Sequence, residues 1–153
     1  MMTDTTLILK FMGPVYSRLG DYADTVARIA VGAFLVPHGA QKLFGWFGGY
    51  GLEATGQYFE QNLGYSNGYL AALSAGSVEF FGGILLAVGL LTRVSAAAIA
   101  VLLGVAVTFH AAKGFFWTSG GYEYPLLWMV LAVAFWVKGG GAFSVDRLIG
   151  KEF

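Results

Sequence analysis

The chain contains no cysteine, which excludes disulfides, thiolate metal sites, iron–sulfur clusters and CxxC redox chemistry. Any redox step must use a bound cofactor or substrate. Charge is scarce as well. Asp, Glu, Lys and Arg make up 12% of its 153 residues, against roughly 25% in soluble domains. Nine basic and nine acidic residues cancel, so no overall field points to nucleic acid or to an acidic partner. The N-terminal stretch "MMTDTTLILKFMGPVYSRLG" lacks the basic start, unbroken apolar run and small-residue cleavage site of a secretory signal. It is expected to be retained.

What is abundant is apolar. Hydrophobic residues are 57% of the chain, the mean hydropathy is +0.66 and there are 23 glycines. Long apolar runs cover about 24–45, 68–91, 94–112 and 124–138. Each is about long enough to cross ~30 Å of hydrocarbon at 1.5 Å per residue, the last only just. The fold expected is an all-α membrane protein, a four-transmembrane-helix bundle occupying 24–150. A soluble all-α bundle is the alternative, and "VSAAAIAVLLGVAVTF" argues against it because no face of that helix is polar. Lys10, Arg18, Arg28, Arg93, Lys138, Arg147 and Lys151 fall on one side of these spans, and Lys42 and Lys113 on the other. The positive-inside rule then puts both termini in the cytoplasm.

Short interfacial helices are expected outside the spans. Residues 5–19, within a 1–23 N-terminal segment, place Leu7, Ile8, Phe11, Val15 and Leu19 near one helical face, which suits a helix lying on the cytoplasmic interface. "LEATGQYFEQNLG" reads as a helix in the first outer loop. In "KGGGAFSVDRLIG" the glycines stop the fourth span, and Ser144 can cap a last short helix with Asp146 in its first turn.

An ionisable group at membrane depth costs ~2.5–3.5 kcal/mol on insertion scales, so each is a candidate for function. His38 lies ten residues beyond Arg28 in span one, and Gln41 and Lys42 follow at i+3 and i+4 on its face. Pro37 just before it removes a helical hydrogen bond, so a kink is expected that opens space for the imidazole. Glu79 falls near the middle of span two, with Gly76 and Gly83 beside it to admit a neighbouring helix or a flat ligand. His110 and Lys113 close span three at the outer side, where Tyr122, Glu123 and Tyr124 open span four. Apart from Arg28, the costly groups lie in the outer half. Two readings of Glu79 stand: an ion pair with Arg28, Lys42 or Lys113, or an unpaired carboxyl able to exchange protons. For Glu123 ahead of Pro125, the start of a helix is a sufficient explanation.

Taken in order, Arg28, Gly32, Phe34, His38-Gly39, Gln41-Lys42 and Gly45, then "EFFGG" at 79–83, "VGLLTR" at 88–93, His110, "GFF" at 114–116, "EYPLL" at 123–127 and "GGGAFSVDR" at 139–147 resemble the DoxX family of small bacterial four-helix membrane proteins. The resemblance covers about 24–150. It implies a multi-pass inner-membrane protein related to subunits of a thiosulfate:quinone oxidoreductase and to proteins of oxidative-stress defence. The positions matching the family pattern are Arg28, His38, Gln41, Lys42, Glu79, His110, Glu123 and Tyr124. A branch of the family does thiol–disulfide work, which a chain without cysteine cannot.

Three functions compete. In the first, the chain is a membrane oxidoreductase subunit binding a quinone. His38 and Glu79 act on its carbonyl oxygens, and Lys42 or Arg28 favours the reduced anion. Phe34, Phe80 and Trp46 form the apolar wall, with Gln41, His110, Glu123 and Tyr124 completing the site, and a partner protein supplies electrons. In the second, the polar set is structural and the bundle anchors, assembles or carries a partner. In the third, His38 and His110 ligate haem b or copper. The bilayer is a partner in each, a homo-oligomer is open, and nucleic acid is not expected.

Overall fold

The computed structural model describes residues 8–152, and among these every regular element is helical. After a 3₁₀ turn at Lys10–Met12 come α1 (Gly13–Phe44), α2 (Gly51–Leu63), α3 (Gly68–Val88), α4 (Thr92–His110), α5 (Glu123–Lys138) and α6 (Val145–Leu148). A 3₁₀ turn at Ala111–Lys113 prolongs α4, and a π turn at Val78–Gly82 interrupts α3.

Local chemistry sets most of the boundaries. Pro14 sits in the first turn of α1, where its missing N–H is no loss, and Gly45 ends that helix at φ +71°. The Asn67 side chain accepts from the Leu70 N–H at 3.0 Å, and Glu60 of α2 accepts from Gly68 at 2.9 Å. Together they satisfy N–H groups at the start of α3 that have no partner inside the helix. Ser144 caps α6 as its sequence suggests, accepting from the Arg147 N–H at 3.2 Å.

The N-terminal segment differs from expectation. Among the described residues no separate interfacial helix precedes α1; from Gly13 the chain is one helix of 32 residues, about 48 Å long at 1.5 Å per residue. Nothing in "SRLGDYADTVAR" is a strong breaker. A lone Gly20 costs a helix only ~1 kcal/mol, and Thr25 bonds back to the Asp21 carbonyl at 2.7 Å. Residues 14–23 are therefore an exposed extension of α1. Leu7 lies outside the described residues. Helical assignment also runs on through Pro37 to Phe44.

Packing is built on two antiparallel contacts, α1 with α3 and α4 with α5. The first is backbone against backbone. A Cβ on Gly32 would strike the Gly83 carbonyl oxygen, and one on Gly39 would strike the Phe80 amide and, at 2.7 Å, the Gly76 carbonyl oxygen. Gly32 and Gly39 are seven residues apart, as are Gly76 and Gly83, so two glycines on each helix meet in reverse order. Small residues at such spacing let membrane helices approach closely. Val31 and Leu35 of α1, Leu86 of α3, Ala96, Ile99 and Leu103 of α4, and Ala132 and Phe135 of α5 make the common core.

Gly68–Val88 and Thr92–Lys113 are long and apolar enough to cross a membrane. Only 33% and 22% of their most apolar windows are buried, whereas a core helix of a soluble protein is mostly covered. Val101, Val130, Trp136 and Val137 all lie exposed. Apolar surface on this scale fits a hydrocarbon solvent.

Because Gly39 has no room for a side chain, Gly39→Val lowers stability in detergent by about 1–3 kcal/mol or more. Gly20→Ala, with nothing within 4 Å of the new methyl, leaves stability unchanged or raises it by up to ~1 kcal/mol. Thermal unfolding followed by circular dichroism distinguishes the two.

Candidate functional site

At the end of the bundle where α1 stops, Lys42 meets Glu79. Nζ lies 2.6 Å from Oε2 and also donates to the His38 carbonyl at 3.4 Å. Glu79 is 9% exposed, while the Lys42 side chain remains 25% exposed. The carboxylate stands on the π turn of α3. An inserted residue of this kind widens a helix locally, and such turns recur at functional sites. Of the partners the sequence allows Glu79, the structure selects Lys42. It also fills the space beside Gly76 and Gly83 with α1 itself. Phe80 packs edge-on against Phe44 at 5.2 Å, and Phe44 meets Trp46 at 4.9 Å, so an aromatic wall adjoins the ion pair.

His38 is placed otherwise than expected. Its side chain is exposed rather than turned into a space opened by Pro37. Phe34 is also exposed, packing against Trp128 of α5 at 5.6 Å, apart from Phe80 and Trp46.

Three other residues of the sequence-derived set hold loops. Gln41 Nε2 donates to the Phe47 carbonyl at 3.2 Å, steadying a turn in which Phe47 takes φ +53°. His110 Nδ1 lies 2.6 Å from the Gly120 carbonyl oxygen, and Glu123 accepts from the Trp117 N–H at 3.1 Å. Tyr124 stacks on Trp117, with ring centroids 5.2 Å apart and planes 5° from parallel. Among the described residues, no three His, Asp or Glu side chains gather as a metal-binding group.

Arg28, midway along α1, belongs to a separate cluster at the end of the bundle where α3 stops. It is 1% exposed. Nη1 donates to the Leu86 and Ala87 carbonyls, both at 2.6 Å, and Nη2 to the Phe143 carbonyl at 2.7 Å. It thus brings donors to two of the last carbonyls of α3, of which Leu86 also accepts from the Gly89 N–H at 3.1 Å. Asp146, 2% exposed, complements it. Its two oxygens accept from the Leu91 and Thr92 N–H groups at 2.8 and 2.9 Å, and its own N–H donates to Gly89 at 2.8 Å. The α3–α4 turn needs this support, since Leu91 sits at φ +51°, a strained conformation for a non-glycine residue. Burial alone would raise the Asp146 carboxyl; the N–H bonds from Thr92 and Leu91 and the nearby Arg28 charge outweigh it and hold the pKa below the usual carboxylate value. Sequence spacing gave no hint that "VGLLTR" and "SVDR" interlock, because the partners are more than fifty residues apart.

An all-helical chain with two helices long and apolar enough to cross a membrane, both largely uncovered, has the features of a helical membrane protein. The chain belongs to the DoxX family, whose model matches residues 23–112. Two Haemophilus influenzae proteins, both described as uncharacterized, are similar. One is 37% identical over 70 residues, which are 45% of this chain and 46% of that protein. The other is 34% identical over 110 residues, 66% of this chain and 82% of its own length. The chain thus spans under half of the first relative and most of the second. No solved structure matches the chain.

Because its pKa is lowered by folding, Asp146 contributes stability in full above the unfolded carboxylate value of about 3.9. That contribution is lost as pH falls through the lower folded value. Asp146→Ala costs about 1–3 kcal/mol or more at pH 7 by leaving the Leu91 and Thr92 N–H groups without their acceptor. It also flattens the fall in stability below about pH 4, as melting temperature against pH in detergent will record.

Proposed function

We propose that the chain is a four-span inner-membrane protein, with both termini cytoplasmic, acting as the membrane subunit of a redox system that takes a quinone or similar flat apolar compound beside Lys42 and Glu79. One observation carries this reading: a partly open ion pair on a π turn, next to the Phe80, Phe44 and Trp46 wall, in the outer half of an otherwise apolar bundle. The excess of Lys and Arg on the other side of the spans supports the orientation.

The chemistry follows from the pair. The Lys42 ammonium can donate to a quinone carbonyl oxygen and favour the charge that develops there on reduction. The Glu79 carboxylate can take a proton from the hydroquinone and return it. Two electrons and two protons convert quinone to hydroquinone. With no cysteine in the chain, the electrons come from a partner redox protein.

A second reading, a non-catalytic anchor or assembly partner, has its own support: Arg28, Gln41, His110 and Glu123 all engage backbone groups of the protein itself. Quinone content separates the two. Wild-type protein purified in mild detergent and extracted with organic solvent should yield bound quinone, and Glu79→Gln and Lys42→Met should each yield at least about tenfold less, a ΔΔG of ~1.4 kcal/mol. No quinone in the wild type, or equal amounts in all three, overturns the redox reading in favour of the anchor.

A further inference from the structure

Beyond the redox reading, and independently of it, we propose that the pocket where α5 ends binds the phosphate of an anionic phospholipid headgroup. The concavity has a volume of about 430 Å³ and is lined by Lys138, Ser144, Asp146, Arg147, Lys151 and Glu152. Its acids are already engaged. Both Asp146 oxygens accept from α4 N–H groups beside Arg28, and Glu152 accepts from Gly140 at 3.0 Å and pairs with Arg93 at 3.3 Å. Lys138 is matched by Asp24 at 2.5 Å. Of the five cations in and behind the pocket, Arg28, Arg93 and Lys138 thus face Asp146, Glu152 and Asp24. Arg147 and Lys151 supply a surplus of two positive charges, and both are exposed.

The surroundings favour a lipid over a soluble phosphate. Lys138 ends α5, so the pocket opens where the apolar helix stops, at the depth where headgroups lie. Leu148, next to Arg147, is 86% exposed, and Phe143, Ile149 and Val137 are also uncovered. A soluble anion has no use for that rim, whereas acyl chains descending along α5 would cover it. Basic pockets at membrane boundaries recognise anionic headgroups in this way.

The test uses the full chain in detergent, stripped of lipid, then offered phosphatidylglycerol or phosphatidylcholine, with retention read by native mass spectrometry. Wild type should retain phosphatidylglycerol at least tenfold better than phosphatidylcholine. Arg147→Gln combined with Lys151→Gln should abolish the preference, and the charge-conserving Arg147→Lys with Lys151→Arg should keep most of it. Neither pair touches the Ser144 cap, which uses the Arg147 backbone, so circular dichroism should be unchanged and quinone content should match wild type. Equal retention of the two lipids, or equal phosphatidylglycerol retention by wild type and the neutral variant, overturns the proposal. So does displacement of the lipid by millimolar inorganic phosphate, which would make this a soluble-anion site.

Discussion

A guanidinium buried to near-complete exclusion of solvent is tolerable only where polar groups meet it, and Arg28 donates through its two terminal nitrogens to three carbonyls, those of Leu86, Ala87 and Phe143, while its Nε has no protein partner. Two of them end α3, and the third, from Phe143, fastens the segment before α6. Removing Arg28 would therefore take a donor from the end of α3 and from the loop at Phe143, and a nearby positive charge from Asp146, all at once. The opposite charge is engaged with equal thoroughness, since Asp146 closes the start of α4 with both oxygens. Helix ends are where a membrane protein has backbone groups left to satisfy. This chain satisfies them with side chains drawn from distant sequence.

That cluster fixes the ends, while glycine sets the distance between helices. With Gly32 and Gly39 against Gly83 and Gly76, α1 and α3 come close enough for Lys42 to reach Glu79. Bulkier residues at those positions would push the helices apart and leave the carboxylate without a partner inside an apolar bundle. The ion pair thus rests on main-chain contact elsewhere in the same interface, and the π turn adjusts where the carboxylate points.

Helices were legible in the sequence because they are written locally. Apolar length gave α3, α4 and α5 to within a few residues, and Ser144 and the glycines after Lys138 marked ends. The start of α1 was misjudged because amphipathic residues before a span look the same whether a helix lies flat or simply continues. The site was legible as a set of costly residues, but not in its pairings. Nothing local says that Glu79 takes Lys42 rather than Arg28 or Lys113, since a helix's rotation and neighbours decide that. For the same reason His38 could be placed along the helix axis but not around it.

The capping arginines have a wider meaning. Arg93 of α4 donates through Nη1 to the Trp136 and Val137 carbonyls, as Arg28 of α1 does to Leu86 and Ala87. In each case a glycine at positive φ follows, Gly139 or Gly89. Eleven residues after each arginine stands a glycine, Gly39 or Gly104; ten before each terminal glycine stands Glu79 in one helix and Met129 in the other. The bundle is thus two hairpins of one design set side by side. Where the first carries a charge-bearing pair, the second has a thioether against glycine, with Met129 Sδ 3.5 Å from where a Cβ on Gly104 would be. The charged pair thus stands at the position that a thioether and a glycine fill in the other hairpin.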